Sequence, residues 1–189
     1  LSAPNSEASR VNLGVSHDLQ HVNGLNTEFF IGQSYNISAS DYTYASGYGD
    51  GASAYVMQGD VVYEGKDSRV SLTQNLRLDP SDNSTLRNQV SAKYSAKGIS
   101  LGSTYSFFAA GQTATESKKE QSVRVDWEMS DNWSLEANHR RDLRSKRDVK
   151  SSADFVYEDI CTILRLSLSR DYAEFDNIEP ETSISFTFV

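Results

Sequence analysis

The chain has 189 residues, enough for one domain with a sizeable sheet or core, and a formal net charge of −8. Its mean hydropathy is −0.54. No run of about 18 apolar residues occurs, which excludes a transmembrane helix, and the acidic balance argues against a nucleic-acid partner, which would need a basic face.

The first ten residues, LSAPNSEASR, have no Met and no apolar stretch, so they do not read as a signal peptide. They suit a mature product or a piece of a longer chain. From there the sequence alternates. Val11, Leu13, Val15 and Leu19 alternate with Asn12, Ser16, Asp18 and Gln20. After the turn HVNGLN, Phe29, Ile31, Tyr35 and Ile37 lie opposite Glu28, Ser34 and Asn36. A loop rich in Tyr, Gly, Ser and Asp fills 39–52. Tyr55, Met57, Val61 and Tyr63 then alternate with Gln58 and Asp60, and Val70, Leu72, Leu76 and Leu78 with Thr73, Asn75 and Arg77. Leu86, Val90, Ala92 and Tyr94 oppose Arg87, Gln89, Ser91 and Lys93. Ile99, Leu101, Tyr105 and Phe107 continue the pattern after the turn AKG. Val123, Val125, Trp127 and Met129 oppose Arg124, Asp126 and Glu128. Trp133, Leu135 and Ala137 oppose Glu136, Asn138 and Arg140. Past the basic stretch RDLRSKRD, Ala153, Phe155 and Tyr157 oppose Lys150, Asp154 and Glu158. The last two runs place Leu164, Leu166 and Leu168 opposite Arg165, Ser167 and Ser169, and Thr182, Ile184, Phe186 and Phe188 opposite Ser183, Ser185 and Thr187.

Period-2 alternation puts one apolar and one polar face on each run. It predicts about eleven antiparallel strands. The connections alternate in length, with 39–52, 79–85, 109–119, 141–148 and 173–180 longer and 64–69, 96–98, 130–132 and 158–161 shorter, as in up-and-down membrane barrels. The apolar face of every run so read lacks Asp, Glu, Lys and Arg. The other face carries Asp18, Glu28, Asp60, Arg77, Lys93, Arg124, Asp126, Glu128, Glu136, Arg140, Asp154 and Arg165. Lipid outside and water inside would produce that division, because Arg or Lys at the bilayer midplane costs roughly 2–4 kcal/mol. His17 and His139 are the two blemishes on the apolar face. Tyr63, Tyr94, Trp127, Trp133, Tyr157 and Phe188 fall near strand ends, where an interface girdle belongs. A soluble sandwich or lipocalin-like barrel predicts the same alternation. The reading is therefore an all-β, antiparallel up-and-down transmembrane β-barrel, a single domain over residues 1–189. Single-chain bacterial barrels have even strand numbers, so eleven strands suit the C-terminal part of a larger barrel. Its open edges should keep residues 1–189 alone from forming a stable monomer.

Catalytic motifs are not found. His17, His21 and His139 lie in no metal-ligand spacing, and no GxSxG context is present. Gly47, Gly49 and Gly51 precede no helix that could cradle phosphate. Asp154 and Glu158 share a face, which a charged lumen supplies without catalysis. No enzyme, metal or cofactor is expected.

The segments YEDIC at 157–161, LSLSRDY at 166–172, NIEPETSISFTF at 177–188 and MSDNWSLEANHRRDL at 129–143 resemble the C-terminal barrel portion of the LPS-assembly outer-membrane LptD (OstA/Imp) family, in its alphaproteobacterial form. The likeness is strongest after residue 120. It implies an outer-membrane barrel that receives lipopolysaccharide from periplasmic bridge proteins through an N-terminal domain. It also implies an LptE-like lipoprotein plugging the lumen, insertion by the barrel-assembly machinery, and a lateral gate. Thr182, Ile184, Phe186 and Phe188 would lie on the gate strand. Cys161 would bond a cysteine of the upstream region, a pairing the periplasm favours. The only cysteine of the chain, it otherwise reads as an unpaired thiol at a strand end. Arg140, Arg141, Arg144, Lys146 and Arg147, with Lys150 beside them, would meet lipid A phosphates. The alternative is a solvated loop balanced by Asp142 and Asp148. Lys93, Arg124, Asp126, Glu128 and Arg165 would line the lumen, guiding a head group or merely pairing with one another. The other functions open to this pattern are a porin or diffusion channel and a soluble ligand-binding β-domain.

Overall fold

The computed structural model describes residues 10–36, 54–110, 116–172 and 180–188. They form eleven strands: β1 (Arg10–Gln20), β2 (Leu25–Asn36), β3 (Ala54–Glu64), β4 (Ser68–Leu78), β5 (Thr85–Ala96), β6 (Ile99–Phe108), β7 (Lys118–Glu128), β8 (Trp133–Asp142), β9 (Arg147–Glu158), β10 (Ile163–Asp171) and β11 (Glu181–Phe188). All belong to one antiparallel sheet in strict sequence order, so each strand pairs only with its chain neighbours. Among the described residues β1 and β11 are the two edges. Gly47, Gly49, Gly51 and most of the expected loops at 39–52 and 173–180 lie outside the described residues.

Local chemistry sets the turns. Between β5 and β6 the chain reverses through Lys97 and Gly98, at φ 47° and 77°. Two successive positive φ values match the twist of the flanking strands. Elsewhere short acidic side chains cap the turns. Asp142 Oδ1 accepts the backbone N–H of Arg144 at 2.7 Å and of Ser145 at 3.1 Å. Asp79 accepts that of Ser81 at 2.8 Å.

The sheet has no interior of its own. Among the described residues only Ala54 and Ser34 are buried, whereas Leu13 is 62 % exposed, Val15 77 % and Phe186 68 %. A soluble sandwich buries one face of every strand against a second layer. The described residues supply no second layer, so the apolar face needs a non-aqueous neighbour.

Pairing register keeps the two faces apart across all eleven strands. Val15 sits opposite Ile31, Ile31 opposite Met57, and Met57 opposite Leu76. Trp133 stacks on Phe155 at 4.7 Å and leans on Tyr157 at 4.8 Å. The expected girdle residues Tyr63, Tyr94, Trp127, Trp133, Tyr157 and Phe188 all fall at the short-turn end of the apolar face. Tyr35, Tyr55, Tyr105, Phe107 and Tyr172 mark the other end. Tyr55 and Tyr63 are about 27 Å apart along β3, or roughly 21 Å in height at a tilt of about 40°. On the polar face Gly14 lies opposite Gly32. A Cβ on either would come within 2.6–2.7 Å of the Phe30 ring, which lies across both.

One expectation fails at the rim. The basic stretch at 141–148 is not a long loop. Capping by Asp142 confines the turn to 143–146, and a bulge at Arg140/Arg141 carries the strands through it. The strands thus extend further than the alternation suggests, and charges join the apolar face. Lys119 pairs with Phe107, Arg141 with Gln121, and Arg170 with Ser151, while the bulge turns Asp148 toward Arg141. The apolar face is free of charge through its middle but not at this end.

Candidate functional site

The polar face is the first candidate surface. Its centre is a panel of ion pairs on β7–β9. Arg124 Nε reaches Asp126 at 2.9 Å and its terminal nitrogen reaches Glu136 at 2.9 Å. Glu136 lies opposite Asp154, which accepts a hydrogen bond from Ser167. Toward the edge the pairing becomes neutral, with Ser169 and Ser183 hydroxyls 2.7 Å apart. Elsewhere Thr73 donates to Asp60 at 2.6 Å, and Ser91 meets Thr104 at 3.0 Å. Of the expected lining residues, Arg124 and Asp126 are drawn into the panel. Lys93, Glu128 and Arg165 share the face without joining it.

The expected cation cluster is divided between the faces. Arg140 lies opposite Lys150 on the polar face, and Arg147 opposite Asp142 on the same side. Arg141 lies on the apolar face, donating to the Lys146 carbonyl at 3.0 Å, with Nε 3.9 Å from Asp148. Arg144, in the turn, pairs with Glu116 at 3.0 Å. Lys146 holds the turn's positive φ of 58°. His139, a blemish in the alternation, is satisfied where it stands. Nδ1 is 2.9 Å from the Ser151 hydroxyl and Nε2 is 3.4 Å from Asp148.

The third candidate is the β11 edge. Thr182, Ile184, Phe186 and Phe188 stand on the apolar face opposite Arg170, Leu168, Leu166 and Leu164. Ile184 is 69 % exposed. The polar side of this hairpin holds Ser167, Ser169, Ser183, Ser185 and Thr187, with Arg165 opposite Thr187 and Asp171 opposite Glu181.

Cys161 occupies the turn 159–162 with an exposed, free thiol. Its backbone N–H donates to Asp159 Oδ1 at 2.9 Å, while the Tyr157 hydroxyl donates to Oδ2 at 2.8 Å. These two bonds, the Cys161 N–H first, hold the Asp159 carboxyl below its ordinary range. The thiol is therefore presented on a defined turn.

Alternation placed Arg77 and Arg87 on the polar face without bringing them together. Register sets them directly opposite each other, beside a hollow of about 600 Å³ that Phe30 and Val56 also line. Arg87 donates to Gln89 at 3.1 Å and lies 5.2 Å over the Phe108 ring. The unbroken register from Ser68 opposite Ala96 sets this pairing, and a bulge follows it at Arg77/Leu78. Among the described residues no group of three His, Cys, Asp or Glu converges as a metal site.

The family model for LptD, LPS transport system D, matches residues 5–184. No curated protein matches the chain. Among solved structures, the chain is similar to substituted forms of the Rhodopseudomonas blastica porin. One is 12 % identical, with 94 % of this chain and 78 % of the porin covered at a TM-score of 0.48. Another is 14 % identical over the same shares at 0.45.

Proposed function

The chain belongs to the LptD family of LPS transport proteins in the bacterial outer membrane, and from that premise we propose that its polar face lines the route of the lipopolysaccharide head group, while the β11 edge opens sideways to release acyl chains into the outer leaflet. The observation that carries this reading is the two-sided edge. Its inner side is lined through the middle by hydroxyls, with Arg165 beyond them at one end and Asp171 and Glu181 at the other, and its outer side offers Ile184, Phe186 and Phe188. A sugar-phosphate head can exchange hydrogen bonds along Ser167, Ser183 and Ser185 while its chains stay against apolar surface. Neutral hydroxyl contacts are also weaker than charged ones, so this edge separates at less cost than the β7–β9 panel.

The short turns face the periplasm on this reading, and the long connections face outward. Cys161 then lies on the periplasmic side, where a disulfide to an upstream periplasmic domain holds that domain under the lumen. A plug lipoprotein fills the polar concavity, bridge proteins deliver lipid to the upstream domain, and the barrel-assembly machinery inserts the whole. Arg140, Lys150 and Arg147 meet phosphates from the lumen side. A non-reducing gel of the full-length protein tests the disulfide: Cys161→Ser should abolish a mobility shift that reductant also removes.

The test of the route is photo-crosslinking in cells, with probes at Arg124, at Phe186 and, as a control, at Val123 on the apolar face. Energy-dependent lipopolysaccharide adducts at the first two positions and not at the third are expected. Adducts at Val123 alone, together with conductance for small solutes, would replace this reading with a diffusion channel.

A further inference from the structure

The apolar face is asymmetric from end to end. At the short-turn end it presents Tyr63, Tyr94, Ile99, Trp127, Trp133, Tyr157 and Phe188, and no charged strand residue. At the other end three cations enter the same face. Lys119 is 5.7 Å over the Phe107 ring, and Arg170 is 5.0 Å over the Tyr172 ring. Arg141 stands between them on β8. All three are exposed, and Asp148 is the only strand carboxylate on this face among the described residues. An aromatic ring under a cation leaves its outward side open to an anion.

We propose that Lys119, Arg141 and Arg170 form a binding surface on the outer wall for a phosphate-headed lipid of the surrounding leaflet, its acyl chains lying along the apolar residues below. The position supports it. These cations stand at the level of Tyr35, Tyr55, Tyr105, Phe107 and Tyr172, where the apolar band ends and head groups begin. The chemistry supports it as well. Arg141 and Arg170 each offer a planar fork matched to phosphate oxygens, and Lys119 adds a point charge. Strand spacing of about 4.8 Å puts Arg141 and Arg170, two strands and one pleat apart, at roughly 12 Å. One large head group, or two adjacent small ones, spans that distance. A free anion would gain nothing from the apolar wall beneath, so the occupant is a membrane lipid. The proposal rests on the outer-membrane reading but not on the transport route.

The experiment uses the full-length protein in phosphatidylcholine nanodiscs doped with bis-phosphorylated lipid A, with lipid retained on release read by native mass spectrometry. K119Q/R141Q/R170Q should lower lipid A retention about a hundredfold, roughly fivefold for each cation. The charge-keeping variant K119R/R141K/R170K and the variant K66Q/R69Q, which removes two exposed cations at the short-turn end, should retain it. Heat-modifiability on gels checks that each variant is folded. If the triple glutamine variant unfolds, singly substituted R170Q should show the roughly fivefold loss. Unchanged retention in the folded glutamine variants of the three wall cations overturns the proposal, as does equal loss in K66Q/R69Q. Displacement of lipid A by inorganic phosphate overturns it in favour of a free-anion site. Lipopolysaccharide export is scored separately in cells. Failed crosslinking along the route, with retention lost in the glutamine variants as expected, refutes the transport path alone, and unchanged retention in those variants, with crosslinking along the route as expected, refutes the wall site alone.

Discussion

The β7–β9 panel and the β10–β11 hairpin wear the same outer surface and differ on the inner one. Outside, Trp133, Phe155 and Tyr157 in the panel continue directly into Leu164, Leu166, Phe186 and Phe188 in the hairpin. Inside, cohesion falls off toward the edge. Arg124 bridges Asp126 and Glu136, then Ser167 donates to Asp154, then one neutral hydroxyl meets another at Ser169 and Ser183. Lipid exposure sets the outer face and leaves little freedom there. On the inner face the contacts change from ion pairs at Arg124 to paired hydroxyls at Ser169 and Ser183.

The largest effect should come from violating the shared outer face. Leu166→Arg is expected to destabilise the full-length protein by roughly 2–4 kcal/mol, whereas Ser185→Arg, one strand away on the inner face, should stay within about 1 kcal/mol. Denaturant unfolding in lipid vesicles measures both, and equal costs would break the division of faces. Next comes the stack in the panel. Trp133→Ala removes two ring contacts, each worth about 0.5–1.5 kcal/mol beyond area burial, and should lower the unfolding midpoint more than Phe186→Ala at the edge. If the edge aromatic matters more, cohesion is not graded as described. Arg124→Ala should cost no more than about 1 kcal/mol because its side chain is half exposed. That cost should shrink in high salt, while Ser183→Ala should be smaller and salt-insensitive.

The smallest effect concerns the turn that joins the two regions. The folded-state pKa of Asp159 is depressed below 3.8. Its contribution is therefore complete above about pH 4 and is lost as pH falls through the folded value. The protection of the Cys161 amide relative to an unstructured peptide should fall in that acidic window and should already be low at neutral pH in Asp159→Asn. Slow exchange in the variant would mean that backbone pairing alone holds the turn.

Much of this was legible in the chain. Alternation is local, so strand number and facing could be read residue by residue from Val11 to Phe188. The family likeness then turned a barrel wall into a transport protein. Bulges were not legible. A bulge inserts one residue without altering composition, yet one turned Asp148 toward Arg141; nor does alternation give the register that sets Arg77 against Arg87. Turn capping was half visible. Asp142 was in view, but its bonds to Arg144 and Ser145 made a tight turn of what reads as a charged loop, and the expected phosphate cluster was divided by face. The outer-wall cations Lys119 and Arg170 lie just beyond the ends of the alternating runs, where the pattern assigns no face.

The strict sequence order of the sheet also bears on how such a wall changes over evolutionary time. Every strand needs only the one before and the one after. A hairpin can therefore be duplicated or lost without rewriting distant contacts, and each such event alters the circumference by about 12 Å for strands tilted near 40°. Lumen width becomes a quantity inherited in steps, one hairpin at a time. A family that must pass a bulky amphiphile can reach the girth it needs by repetition rather than by redesign.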